Sequence, residues 1–160
     1  MDLRAYQPRD LEQLIELTID TFGPFYEQSF RDVVGEAVFN NTHGSWRADY
    51  REQVASLYAP DLGRYVVVAE DDGVVVGYVA WNLNPVARRG EIDILAVASS
   101  HRRHGLGKIL CGHAFADLKD RGVEVVEIGT GGDGFHAPAR ALYESLGCTA
   151  FPAVRYYKEI

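Results

Sequence analysis

The chain has 160 residues, of which 47% are hydrophobic and 24% charged, values typical of one globular domain with a buried core. Its formal net charge of −7 disfavours nonspecific binding to nucleic acid. No apolar run approaches the ~20 residues of a membrane helix, and no signal segment opens the chain. We therefore expect a cytoplasmic protein with neither a membrane nor a nucleic-acid partner.

The first 60 residues predict one short strand and three amphipathic helices. Apolar side chains recur at i, i+3 and i+4, the spacing that places them on one side of a helix. Gly23 and Pro24 are expected to end the first helix, and Ser45 is expected to cap the third. The predicted segments are a strand over 3–6 and helices over 10–22, 30–38 and 46–58.

From residue 64 the pattern changes to strands. The turn residues 71–73, Asp-Asp-Gly, separate two valine-rich runs and predict a hairpin. The next strand is expected to place Ile92, Ile94 and Ala96 on one face. The predicted segments are strands over 65–70, 74–83, 91–98 and 123–129, a helix ending at Gly122, a helix over 138–146, and one or two strands within 149–160.

This order of elements predicts a single mixed α/β (α+β) domain over residues 1–160. An antiparallel meander leads into a β-α-β-α-β segment, so we expect a mixed central sheet of six to seven strands flanked by helices. No metal is expected, because Cys111 and Cys148 lack the paired spacing of a zinc site and His101 and His104 have no third ligand nearby.

Two glycine-rich turns compete as the site of a cofactor. Gly129, Gly131 and Gly134 match G-x-G-x-x-G, which resembles the first motif of the S-adenosylmethionine methyltransferases. That fold needs several further strand–helix units to build its nucleoside crevice, but only 26 residues follow Gly134. Val154 stands near the offset at which an acidic residue is expected. We therefore interpret residues 129–134 as a loop.

The second turn, HRRHGLGK at residues 101–108, follows a strand and leads directly into a helix. Helix-terminal N–H groups and the helix dipole converge at such a turn and favour a phosphate. Gly105 and Gly107 leave room for a close ligand, while two arginines and Lys108 add charged donors. The turn is not a Walker A loop, because Arg102 stands where that motif needs glycine. It predicts a cradle for a diphosphate.

The same turn resembles the signature of the GNAT superfamily of acetyl-CoA-dependent N-acetyltransferases, Gln/Arg-x-x-Gly-x-Gly/Ala. The likeness extends over about residues 65–157 and includes the strand ILAV before the turn. It departs from the family pattern at His136, where Asn is usual, and at Cys148, where Phe is usual. The matching residues are Arg102, Gly105 and Gly107 in the first motif and Ala139, Leu142, Tyr143, Glu144 and Gly147 in the second.

The resemblance implies where acetyl-CoA binds. Residues 91–147 would form the acetyl-CoA-binding core of a GNAT-type domain, whose sheet is splayed between its fourth and fifth strands. Unpaired backbone in the strand 91–98 would bind pantetheine as an added strand does. The implied cofactor-binding residues are Leu95, Ala96, Val97, Arg102, Arg103, His104, Gly105, Leu106, Gly107, Lys108, His136 and Tyr143.

The resemblance also implies how acetyl transfer is catalysed. Tyr143 takes the family's general-acid position and would protonate the departing CoA thiolate. A primary amine is mostly protonated at pH 7, so something must accept its proton, directly or through water. Glu91, Asp93 and Glu127 stay alternatives for this base, as does a water chain without a dedicated base. The backbone N–H of Val97 would polarise the thioester carbonyl.

Residues 22–60 are expected to form the wall that receives the acceptor, a small-molecule or peptide amine. Aromatic faces and carboxylates there would suit a cationic amine. A homodimer stays open, and two other functions are alternatives: a non-catalytic acetyl-CoA-binding sensor module and an S-adenosylmethionine-dependent methyltransferase. The wall candidates are Phe22, Phe25, Tyr26, Trp46, Tyr50 and Tyr58, with Glu27, Asp32, Glu36 and Asp49.

Overall fold

The structure is a computed structural model that describes all residues from 1 to 160. Its strands are β1 (Asp2–Ala5), β2 (Arg64–Asp71), β3 (Val74–Asn84), β4 (Arg89–Val97) and β5 (Val125–Ile128). Its α-helices are α1 (Leu11–Pro24), α2 (Arg31–Val34), α3 (Glu36–His43), α4 (Trp46–Ala55), α5 (Leu106–Asp120) and α6 (Ala137–Ser145), with a π-helical segment over Phe25–Phe30. None of these helices combines the length and the apolarity needed to cross a membrane.

The five strands form one open sheet in the order β1-β2-β3-β4-β5. Every neighbouring pair is antiparallel except β4 and β5, which are parallel. That parallel pairing runs only from Arg89 opposite Val125 to Ile92 opposite Ile128. The rest of β4, residues 93–97, therefore has no strand partner on that side. The predicted single α/β domain, with a sheet splayed between its fourth and fifth strands, is confirmed.

The prediction of six to seven strands is wrong, because residues 149–160 contain no strand. Pro152 cannot donate a hydrogen bond to a strand ladder. The apolar side chains of this tail are not covered either, since Phe151 is 94% exposed. The tail turns instead towards the first helices, where the ring of Tyr157 lies 5.5 Å from that of Phe30.

Two apolar clusters cover the two faces of the sheet. One joins the central strands to α1 and α4 around the fully buried Tyr78. The other joins the sheet to α5 through Leu106, Leu110 and Leu118, each worth about 1.5–3 kcal/mol when fully buried. Gly77 lets α5 approach closely, because a Cβ there would lie 3.1 Å from Leu106. This packing fixes the position of α5 and of the turn that precedes it.

The helices before β2 differ from their prediction at two places. The α-helix α1 ends at Pro24 as expected, but the backbone stays helical through the π-helical segment Phe25–Phe30 into α2. Pro24 removes one helical N–H, and the wider π turn follows directly after this loss. Gly35 divides the second predicted helix into α2 and α3, since its φ of 82° and ψ of 170° favour glycine.

The turns around the sheet agree more closely with the sequence. Asp72 and Gly73 join β2 to β3 with φ values of 48° and 82°, as a primed hairpin turn requires. Gly122, with a φ of 82°, follows α5 as the predicted stop.

The predicted cap of the third helix is confirmed in position only. Ser45 occupies the N-cap position of α4, but its side chain makes no capping hydrogen bond, and the helix ends at Ala55.

Candidate active site

A cleft of about 550 Å³ opens where β4 and β5 separate. Its lining includes residues 92–95 of β4 and residues 128–130 at the end of β5. His136 and Tyr143 reach it from the α6 side, and Arg155 reaches it from the tail. Segments that are distant in the sequence therefore converge at the gap in the sheet. Its aromatic lining from the first helices is Phe22, Phe25, Tyr26 and Tyr50.

A β-bulge in β4 places Asp93 at this gap. Ala80 of β3 pairs with Ile94, while the next residue, Trp81, pairs with Ile92, so Asp93 has no counterpart. Ile94 consequently packs in the cluster on the α1 face and Ile92 in the cluster on the α5 face. The prediction that these two isoleucines share a face is wrong, because it assumed a regular ladder. Bulges commonly redirect a side chain beside a functional site.

Asp93 is the one member of the three predicted carboxylates that lines the cleft. Burial raises the pKa of its carboxyl, and the hydrogen bond that Asn82 Nδ2 donates to Asp93 Oδ1 at 2.7 Å opposes this effect. Glu91 lies opposite Glu127 across the β4–β5 pair, and both are exposed. The geometry therefore separates Asp93 from the other two candidates for the base.

Tyr143 lines the same cleft from α6. Burial raises the pKa of Tyr143 to about 12, and the neighbouring thiols Cys111 and Cys148 act in the same direction. The hydroxyl is therefore protonated at neutral pH and is available as a donor.

The turn before α5 has the backbone geometry expected of an anion cradle. Arg103 and Gly105 have positive φ values of 65° and 80°, and α5 begins at Leu106. The first N–H groups of a helix have no intrahelical partners, so this end carries free donors. The side chain of Leu106 is buried in the α5 cluster, which leaves its backbone alone for a ligand. The exposed basic side chains around the turn are Arg102, Arg103, His104 and Lys108.

Two contacts join this turn to the gap in the sheet. Arg102 Nε donates a hydrogen bond to the carbonyl oxygen of Val97 at 2.9 Å, which anchors the turn to the end of β4. A Cβ on Gly107 would lie 3.1 Å from Leu142 Cδ2 and 3.8 Å from Leu95 Cδ2. Gly107 thus lies where α5 packs against side chains of both α6 and β4. The structure brings the turn, the unpaired part of β4 and α6 together.

Comparison with known proteins identifies the family. A sequence model described as Acetyltransferase (GNAT) family matches residues 11–148, most of the chain. The chain belongs to the GNAT acetyltransferase family. The resemblance drawn from the two motifs is thereby confirmed.

Relatives of this GNAT domain carry acetyltransferase names. A mycothiol acetyltransferase from Thermomonospora curvata is 31% identical over 138 residues, which cover 84% of this chain and 45% of that protein. The chain spans less than half the length of the curated relatives that it matches. An aminoglycoside antibiotic 6′-N-acetyltransferase from Acinetobacter haemolyticus shares the fold with a TM-score of 0.68 at 16% identity, covering 100% of this chain and 99% of that chain. An aminoglycoside N-acetyltransferase in complex with CoA gives a TM-score of 0.66 at 15% identity, with 99% of each chain covered.

The first helices of the GNAT domain bring aromatic rings to the cleft but no carboxylate. Phe22 and Tyr50 stack with ring centres 5.7 Å apart, and the hydroxyls of Tyr26 and Tyr50 lie 3.4 Å apart. Trp46 stacks on Tyr26 at 5.3 Å but lies outside the lining. Glu27 accepts a hydrogen bond from Trp46 Nε1 at 2.9 Å and pairs with two arginines. The other candidates outside the lining are Tyr58, Asp32, Glu36 and Asp49.

Three residues in or beside the cleft were not predicted to act on the acceptor side. His136 lines it and forms a pair with Asp133, three residues earlier on the same loop. The signal available in the sequence was a carboxylate and an imidazole three residues apart, directly before a predicted helix. Arg155 lies in the tail, where no motif marks it. No group of three or more His, Cys, Asp or Glu side chains could hold a metal ion, and the expected absence of a metal stays a prediction.

Proposed function

We propose that this GNAT domain transfers the acetyl group of acetyl-CoA to a primary amine, which attacks the thioester directly in a ternary complex. One observation carries the proposal: β4 loses its strand partner after Ile92, and Asp93 and Tyr143 line the cleft that opens at that gap. Family membership supports the same reaction. Residues 91–147 form the cofactor side of this proposal and residues 22–60 the acceptor side.

The residues around the α5 turn fit the diphosphate of CoA. A Cβ on Gly105 would meet no atom within 4 Å, so the backbone there is open to a ligand. Free N–H groups at the start of α5 and the charges of Arg103 and Lys108 supply donors for an anion. Residues 95–97 would hold pantetheine through their backbone, and acetyl-CoA supplies the reactive thioester when bound.

Asp93 and Tyr143 would each stabilise a different charge, Asp93 that of the incoming ammonium group and Tyr143 that of the departing thiolate. The carboxylate of Asp93 is the acidic side chain of the cleft lining and would hold the incoming ammonium group. Tyr143, with a pKa of about 12, lies roughly three units above an ordinary thiol, so full transfer of its proton to a thiolate is unfavourable. Tyr143 therefore supports the departing sulfur as a hydrogen-bond donor while solvent completes the protonation.

The acceptor that we propose is a small amine with an apolar surface beside its nitrogen. The cleft volume of about 550 Å³ lies within the range of small-molecule sites. Aromatic faces beside a single carboxylate suit a cationic head group. Relatives named as mycothiol and aminoglycoside acetyltransferases support a small-molecule amine, with a peptide amine as the alternative.

Two measurements on the purified chain test this function. Thermal shift should show stabilisation by acetyl-CoA of about 2.7 kcal/mol at 100 times its Kd, and none by S-adenosylmethionine. Acetyl-CoA should then release thiol with at least one amine of a panel, and mass spectrometry should find the amide. Binding without release across the panel would favour the sensor module. Stabilisation by S-adenosylmethionine alone would favour the methyltransferase and overturn the proposal.

A further inference from the structure

The loop over residues 129–136 is built around a paired carboxylate and imidazole. Asp133 Oδ1 and His136 Nδ1 lie 2.6 Å apart, and the N–H of Phe135 donates to Asp133 Oδ2 at 3.1 Å. Burial opposes ionisation of Asp133, but the hydrogen bond and charge of His136 hold the pKa of that carboxyl below its ordinary value. An ionised carboxylate can only accept, so His136 Nδ1 must be the donor.

The glycine-rich loop is shaped to hold this pair. A Cβ on Gly131 would lie 2.5 Å from His136 Nδ1 and still closer to Asp133 Oδ1, so any side chain there would displace the pair. Arg140 Nη1 donates to the carbonyl oxygens of Gly131 and Asp133 at 2.6 and 2.7 Å. The glycine spacing that resembled a nucleoside-binding motif thus leaves room for a side-chain pair within the loop.

The side chain of His136 is part of the cleft lining. The side chain of His136 is 15% exposed, and its ring packs against Phe25 at 4.7 Å and Phe135 at 5.0 Å. The protein offers Nδ1 a partner in Asp133 but offers Nε2 none. A carboxylate that holds one ring nitrogen leaves the other as a proton acceptor. The charged and titratable groups that share this lining are Asp93, Tyr26, Tyr50, Tyr143 and Arg155.

We propose that His136, oriented by Asp133, is a catalytic residue whose Nε2 accepts the proton of the acceptor amine. This role rests on the proposed acetyl transfer. The bound ammonium first loses one proton to solvent, which frees the lone pair of nitrogen. As the nitrogen–carbon bond forms, a second proton leaves nitrogen for His136 Nε2, and the electron pair of the broken carbon–sulfur bond leaves on sulfur. Solvent then takes the proton from His136 and supplies one to sulfur, so of the two protons that nitrogen loses, one ends on sulfur and one in solvent. Asp93 holds the amine in place, and Asp133 acts as a positioning residue.

Imidazole suits this step better than a carboxylate does. Its ordinary titration range spans neutral pH, where a general base combines a useful free fraction with a useful driving force. A fixed tautomer also removes the cost of turning or reprotonating the ring in each cycle. The pair therefore supplies what the three strand carboxylates do not, an imidazole whose orientation is fixed beside the gap.

The test compares His136→Asn and Asp133→Asn with His113→Asn, an exposed histidine of α5. His136→Asn should lower kcat at pH 7 by at least about 100-fold, the usual contribution of a general base. Asp133→Asn should lower kcat by a smaller factor, and His113→Asn should leave it unchanged. The affinity for acetyl-CoA, measured by calorimetry, should stay the same in all three variants.

A second readout does not depend on turnover or on the folding of any variant. The ¹⁵N spectrum of the neutral histidines in the wild-type chain should show His136 protonated at Nδ1 and bare at Nε2. A ring protonated at Nε2 would overturn the proposal, as would an unchanged kcat in His136→Asn. Loss of acetyl-CoA affinity with unchanged kcat would make His136 a cofactor contact instead. A wild-type chain that binds acetyl-CoA but acetylates no amine would refute the proposed function itself.

Discussion

Residues 10–118 and residues 119–160 contribute to the molecule in different ways. All 30 buried residues lie between Asp10 and Leu118, and none lies in the second region. That second region nevertheless supplies His136, Tyr143 and Arg155 to the cleft. Regions with few buried apolar contacts open locally at low free-energy cost. The comparison teaches that the first region supplies the buried core, while the second places functional side chains against it.

The junction between the two regions should be the most sensitive point. Gly107→Glu places a charged side chain where α5, α6 and β4 meet, 3.1 Å from Leu142 at its Cβ. We expect acetyl-CoA to give no thermal shift with this variant. Gly112→Glu is the matched control, because a Cβ at Gly112 on the same helix would meet no atom within 4 Å. Retained tight binding in Gly107→Glu would remove the α5 turn from the cofactor site.

Matched leucine substitutions measure the difference in stability between the regions. Leu110→Ala removes a fully buried side chain from the α5 cluster and should cost about 2–5 kcal/mol of unfolding free energy. Leu146→Ala removes a half-buried side chain directly after α6 in the second region and should cost about 1 kcal/mol. Urea unfolding of both variants checks this. Equal losses would show that residues 119–160 share in the core and that the division drawn above is wrong.

Tyr143→Phe tests whether residues 119–160 contribute a catalytic hydroxyl group to the cleft. The variant removes one hydroxyl and keeps the ring that packs α6. A hydrogen bond to a charged group is worth about 1.5–3 kcal/mol, so kcat should fall by roughly 10- to 100-fold. Affinity for acetyl-CoA should not change. Steady-state kinetics separate the two effects, and an unchanged kcat would remove Tyr143 from the mechanism.

Asp93→Asn should give the smallest change in stability of these variants, and the change should be an increase. Burial raises the folded-state pKa of Asp93 above its ordinary value of 3.8, so ionisation favours the unfolded chain as pH rises. The variant cannot ionise, and its amide oxygen can still accept the hydrogen bond from Asn82. Its urea midpoint should exceed that of the wild type at pH 7, and the difference should close as pH falls towards 3.8. A lower midpoint at pH 7 would contradict this account.

In the scaffold, the hairpin turn and the end of α5 were predicted correctly because each depends on a few consecutive residues. The turn at residues 71–73 and the glycine stop at Gly122 need only neighbouring residues, and both lie where expected. The bulge at Asp93 could not be predicted in this way, since a bulge is a relation between two strands and leaves each pattern intact. The strands predicted within residues 149–160 do not form. Side-chain alternation indicates that a segment can form a strand, but it does not indicate that a sheet edge pairs with that segment.

The candidate site divides along the same line. The α5 turn and Tyr143 were found from motifs of fixed spacing, and the structure brings both to the gap in the sheet. The sequence left Glu91, Asp93 and Glu127 open as candidates for the base, and tertiary placement separates Asp93 from the other two. The pair of Asp133 and His136 was not predicted from the sequence, because the glycines of its loop matched the G-x-G-x-x-G motif and drew the interpretation towards a nucleoside.

Hydrogen exchange of the backbone with and without acetyl-CoA tests the central claim most directly. The account predicts slower exchange for the N–H groups of residues 93–97 that face β5 and for those of the turn at 103–108. Unchanged exchange at both places, with slowing confined to residues 129–134, would contradict it.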